Sequence, residues 1–188
     1  MLKKMLLVLD GQTGVLDRGI HKKNQIISNI NLLIDKFDTI QQPILFTRHT
    51  NKTSLVAETG SWELVSTIRC PETPIYFNKK RSNIFAEENF IELLKRLNIQ
   101  TIYICGFVTN GCVQAACLES QSRGFETFLL EDAHSTFVKN AEKVIDSWNQ
   151  KLAEAGIEVS KTHEAIEQLA NDYQNSVLQK NKSTMSLT

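Results

Sequence analysis

Residues 102–116, IYICGFVTNGCVQAA, run from an apolar stretch through a glycine-bearing turn into side chains at helical spacing. Residues 101–107 read as a buried strand, and Val113, Ala116, Cys117 and Ser120 mark one face of a helix that Gly124 stops. The turn therefore lies between Gly106 and Gly111 and delivers Cys112 to a helix N-terminus. Unpaired N–H groups and partial positive charge at such an end favour thiolate over thiol and suit an oxyanion, both needs of acyl transfer. Cys112 is thus a candidate nucleophile, set against the plainer reading of a small buried hydrophobe.

On either side of this stretch the alternation repeats. Residues 5–10, 43–47, 74–77, 126–131 and 157–160 read as short strands. Ile26, Ile27, Ile30, Leu33, Ile34 and Phe37 mark an amphipathic helix, and residues 87–97, 112–123, 140–155 and 163–170 supply further helices. Residues 51–69 are polar and irregular, with room for a short helix near residues 62–67. Doubly apolar strands separated by such helices predict right-handed βαβ units: a three-layer αβα fold around a mainly parallel, Rossmann-like sheet. Ligand sites in such sheets lie beyond the strand C-termini.

The chain has 188 residues, 41% of them hydrophobic, which suits one domain over residues 1–170. Residues 171–188 turn polar and read as a frayed tail or an arm on a neighbouring subunit. Lys+Arg and Asp+Glu both number 21 without long blocks of one sign, which argues against nucleic acid and anionic membrane and for a small neutral or mildly polar substrate. The apolar run near the start, residues 5–9, stops at Asp10 and is too short for a signal-peptide core, and nothing approaches a membrane span. Four cysteines without a CxxC pair suggest reduced thiols and a cytoplasmic setting.

With these strands, Asp10 ends the first, Lys79 follows the third and Cys112 follows the fourth, so all three reach one rim of the sheet. A carboxylate that can take the thiol proton and an ammonium that can balance its charge complete a catalytic triad. Alone, each has a simpler reading: Asp10 as a turn cap with Gly11, Lys79 as one solvated charge beside Lys80 and Arg81.

From about residue 6 to residue 169 the chain resembles the isochorismatase-like cysteine hydrolases, relatives of nicotinamidases and N-carbamoylsarcosine amidases. The resemblance rests on LLVLDGQTG (residues 6–14), KKRSNIF (79–85), GFVTNGCVQAA (106–116) and, more weakly, LLEDAHSTF (129–137). It implies the isochorismatase-like fold, Cys112 as nucleophile, Asp10 as base with Gln12 supporting, and Lys79 steadying Asp10, with Phe85 completing the lysine motif. It also implies a non-proline cis peptide joining Val108 to Thr109 and an oxyanion held by the N–H groups of Thr109 and Cys112. Small amide or carbamoyl substrates would pass through a thioester, and a homo-oligomer is expected.

Trp62 could cover a planar substrate or meet a neighbouring subunit, His134 could reach the pocket rim, and Gln12 and Phe85 of the family-like motifs would be further substrate contacts. Nicotinamidases often hold zinc through an Asp-x-His pair and a further histidine. Here residues 47–49 are Thr-Arg-His and the next histidine is His134, so His49 reads as a rim or packing residue, with no metal and no cofactor expected. A nucleotide-binding domain lacks its GxGxxG or Walker motif. A redox thiol lacks a partner, since Cys117 falls about 140° around the helix from Cys112. A family member that binds small molecules or partners without turnover remains the alternative.

Overall fold

The computed structural model describes the backbone of residues 3–185. Six strands, β1 (Lys3–Leu9), β2 (Ile44–His49), β3 (Ile75–Lys79), β4 (Ile99–Phe107), β5 (Glu126–Ser135) and β6 (Glu158–Ser160), form one sheet in the order β3-β2-β1-β4-β5-β6. Every neighbouring pair is parallel. The helices are a one-turn α1 (Thr13–Leu16), α2 (Lys23–Thr39), α3 (Glu88–Leu97), α4 (Gln114–Ser122), α5 (Ala141–Glu154) and α6 (Thr162–Met185).

The period-2 alternation of a strand explains the two cores. In β1, Leu6 and Val8 face one side, where they join Ile30, Leu33 and Phe37 of α2 and Ala165 and Leu169 of α6. Met5, Leu7 and Leu9 face the other, with Phe90 and Leu94 of α3, Ala116 and Cys117 of α4 and Leu152 of α5. The expected three-layer αβα arrangement follows directly. Tyr103 and Phe128 stack on the first side with ring centroids 4.4 Å apart.

Order reverses between β1 and β4, the switch point where such sheets leave a crevice. Gly106 lets the two strands come close there. It pairs with Leu9 in register, and a Cβ on it would stand 2.2 Å from the Leu9 carbonyl oxygen at a φ of +109°.

Three local expectations are corrected. Residues 62–67 form no helix, because their backbone pairs with the segment after β1: Thr13 N–H donates to Glu63 O, Gly14 N–H to Ser61 O and Val65 N–H to Gly11 O. β5 runs on to Ser135, past the expected end at residue 131. α6 continues to Met185 instead of stopping at residue 170, since its polar residues include neither glycine nor proline and a solvated helix tolerates them. Lys4 Nζ ties this extension to β1 by an ion pair to Asp172 at 2.5 Å.

Candidate active site

β1, β3 and β4 end on one rim, and Asp10, Lys79 and Cys112 meet there. Asp10 is the first residue beyond β1 and Lys79 the last of β3. Lys79 Nζ donates to Asp10 Oδ2 at 2.7 Å and to Cys112 Sγ at 3.2 Å. Both members of the Asp10–Lys79 pair are buried, with side chains 4% and 0% exposed. Asp10 holds a left-handed backbone conformation, φ 48°, which costs a non-glycine residue about 1–3 kcal/mol and persists where surroundings impose it. Those surroundings include Thr47 of β2, which accepts from Asp10 N–H at 3.0 Å and donates its hydroxyl proton to Asp10 Oδ1 at 2.5 Å. Thr47 is the site residue that sequence reasoning missed. Its one signal was a polar residue inside an apolar strand beside β1.

Cys112 lies in a π-turn, Thr109–Val113, that leads into α4. Val108 O accepts from the N–H groups of Gly111 and Val113, leaving those two amides committed within the turn. The turn is anchored to the end of β5. Thr109 Oγ1 lies 2.8 Å from His134 Nδ1, and Thr136 donates to Asn110 Oδ1 at 2.8 Å. The non-proline cis peptide joins Phe107 to Val108, one residue before the expected position.

Electrostatically the thiol is protonated at rest. Burial, and then the Asp10 charge, push Cys112 up to about 12 against the opposing influence of Lys79. This corrects the expectation that the helix end alone would favour thiolate. Burial works to lower the Lys79 pKa, but the Asp10 carboxylate and Cys112 outweigh it and the ammonium is held above its ordinary value. His49 is lowered, first by burial and then by Lys79, so its ring is neutral.

A cavity of about 200 Å³ opens onto Cys112 and Asp10, below the roughly 300–1,000 Å³ of drug-sized pockets. Val15, Leu55, Phe107, Val108 and Phe137 give it apolar walls, and Arg18, His49, Asn51, Ser54 and Ser82 give it polar ones.

Gln12, Trp62, Phe85 and His134, expected as substrate contacts, are not among the residues that line this cavity. The Gln12 amide is spent on backbone, accepting from His49 N–H at 2.7 Å and donating to His49 O at 3.0 Å and Trp62 O at 2.8 Å. It fastens β2 and the following loop to β1. Trp62 is buried, donates to Thr50 Oγ1 at 2.9 Å and lies under the Arg48 guanidinium at 4.0 Å. Phe85 packs edge-on to Phe90 in the core. His134 is wholly buried between Thr109 and Asn149, whose Oδ1 lies 2.8 Å from Nε2, and burial lowers it to about 4. Sequence could not tell which wall each side chain would reach. Among the described residues no group of three or more His, Cys, Asp or Glu side chains is placed to hold a metal ion, and no helix is long and apolar enough to cross a membrane. Cys105 and Cys117 are buried core thiols.

Compared with known proteins, the sequence matches the isochorismatase domain over residues 4–164. The chain belongs to the isochorismatase-like cysteine hydrolase family. Its half-buried Cys112 beside Lys79 and Asp10 fits the Cys–Lys–Asp arrangement that the resemblance implied. It is 27% identical to the probable hydrolase YcaC of Escherichia coli over 92% of this chain and 80% of that one. It is 21% identical to the isochorismatase family protein YrdC of Bacillus subtilis over 91% of this chain and 96% of that one. In fold it resembles a cysteine hydrolase from Pseudomonas syringae, with a TM-score of 0.84 at 17% identity over 90% of this chain and 93% of that one.

Proposed function

We propose that this family member hydrolyses a C–N bond in a small amide or carbamoyl compound through a thioester on Cys112. The observation that carries the reading is the placement of Lys79 Nζ, within hydrogen-bonding reach of both Asp10 and Cys112, two residues that line a small pocket. As the sulfur attacks the carbonyl carbon, its proton passes to Asp10, and Lys79 is already in place to balance the new thiolate charge. The N–H groups of Thr109 and Cys112 receive the carbonyl oxygen, each donor worth about 3–4 kcal/mol in comparable sites. Collapse breaks the C–N bond, and the leaving amine takes the proton from Asp10. Water then attacks the thioester carbon, giving its proton to Asp10, which returns it to the departing sulfur.

The substrate class is small molecules and not nucleic acid or membrane, the cellular setting is cytoplasmic, and the working form is a homo-oligomer. Light scattering on the purified chain reads the last point. A screen of small amides, ureas and carbamoyl compounds for ammonia release tests the chemistry. Turnover that disappears in Cys112→Ala while the fold persists supports the reading. Undiminished hydrolysis by that variant removes it.

A further inference from the structure

We infer that Arg18 is the specificity residue of this pocket and that the substrate carries a carboxylate as well as its scissile amide, an assignment that rests on the amide-hydrolase reading above. Arg18 follows α1 and lines the cavity that opens onto Cys112. Arg18 is exposed at the cavity's edge, and its guanidinium carbon lies over the Phe137 ring, 3.7 Å from the centroid; Phe137 lines the same cavity. Among the described residues no carboxylate pairs with it, whereas Arg48, Arg69 and Arg123 each have one. A guanidinium held over an aromatic face still has N–H donors to offer, and paired donors of that fork meet a planar carboxylate in two parallel hydrogen bonds.

Charge bookkeeping within the pocket points the same way. The titratable residues that line it are Asp10, Arg18, His49 and Cys112. Lys79 cancels Asp10, Cys112 carries its proton, and the His49 ring is neutral, so Arg18 is left as an uncompensated cation. The chain as a whole is formally balanced, and Arg18 carries the one formal charge among the lining residues that no ion pair offsets. His49 adds a second unmet group, since its Nδ1 is buried without a hydrogen-bond partner. Asn51 leaves little competition for the ligand, because its Oδ1 is engaged by the N–H groups of Thr53, Ser54 and Leu55. A substrate with an amide at Cys112 and a carboxylate at Arg18 engages two of the residues that line this cavity.

The test uses the full chain and matched ligand pairs, malonamate against malonamide and succinamate against succinamide, in which a carboxylate replaces a neutral amide. Calorimetric titration of the Cys112→Ala protein reads binding without turnover. Hydrogen bonds to charged groups predict roughly 10- to 100-fold tighter binding of the anion, falling to parity in the additional presence of Arg18→Gln and partly restored by Arg18→Lys. With Cys112 intact, Arg18→Gln raises KM for the anionic member by a similar factor and changes kcat less. Equal binding of both members of each pair, no binding of either, or an anion preference that survives Arg18→Gln overturns the inference. Anion-selective binding through Arg18 with no ammonia released from any compound overturns the hydrolase reading while this assignment stands.

Discussion

Lys79 Nζ stands 3.2 Å from Cys112 Sγ, although β3 and β4 are separated in the sheet by β2 and β1. The long side chain spans the C-terminal rim and reaches the sulfur from a fully buried position. An ammonium so placed stabilises a thiolate only once one forms. Burial and Asp10 keep the proton on the sulfur until a substrate arrives, so the resting site is an ion pair beside a neutral thiol.

The ion pair makes single substitutions costly. Lys79→Met leaves Asp10 as a buried, uncompensated charge and is expected to lose about 3–5 kcal/mol in urea denaturation. Adding Asp10→Asn removes that charge and recovers much of the loss. Both variants should be inactive, which separates the electrostatic cost from the catalytic one.

A thiol held at about 12 has a distinctive reactivity profile. Iodoacetamide labelling of Cys112 in the empty enzyme, followed by peptide mass analysis, should climb roughly tenfold per pH unit from pH 7 to pH 10 with no plateau. A plateau already reached at pH 7 would reveal a resting thiolate.

His134 links folding to acid. Its folded pKa is depressed to about 4 from an ordinary 6.5, so the unfolded chain binds a proton that the native state refuses. The stability present above pH 6.5 is lost as pH falls through that window, by on the order of 3 kcal/mol. Denaturation midpoints measured from pH 7 to pH 4 should show this slope, and His134→Gln should flatten it.

Gly106→Ala tests the close approach of β1 and β4. The added methyl meets the Leu9 carbonyl at 2.2 Å and the φ of +109° is unsuited to alanine, so stability should fall by more than about 1 kcal/mol. Thermal unfolding of the variant reads the change, and Gly124→Ala, which also has positive φ but open space around it, should cost less.

Much of this site was legible because strand ends are legible. Asp10, Lys79 and Cys112 each sit at or just beyond the C-terminus of an apolar run, and a parallel sheet must bring such ends to one rim. Thr47 and Arg18 were not legible, since their importance depends on which neighbour a side chain meets across the sheet or a loop. Gln12, Trp62 and His134 have the chemistry of substrate contacts but are spent on backbone and side-chain partners, which only packing decides. The extension of α6 escaped notice because a polar segment reads alike as coil or as a solvated helix.

Hydrolysis by this route requires a covalent bond between Cys112 and the acyl portion of the substrate. Rapid acid quenching during turnover of the best amide from the screen, followed by intact and peptide mass spectrometry, measures it directly. An acyl mass increment is expected on the peptide bearing Cys112 alone, and none on Cys112→Ala. Steady turnover by Cys112→Ala, or an acyl group found on another residue, would contradict it.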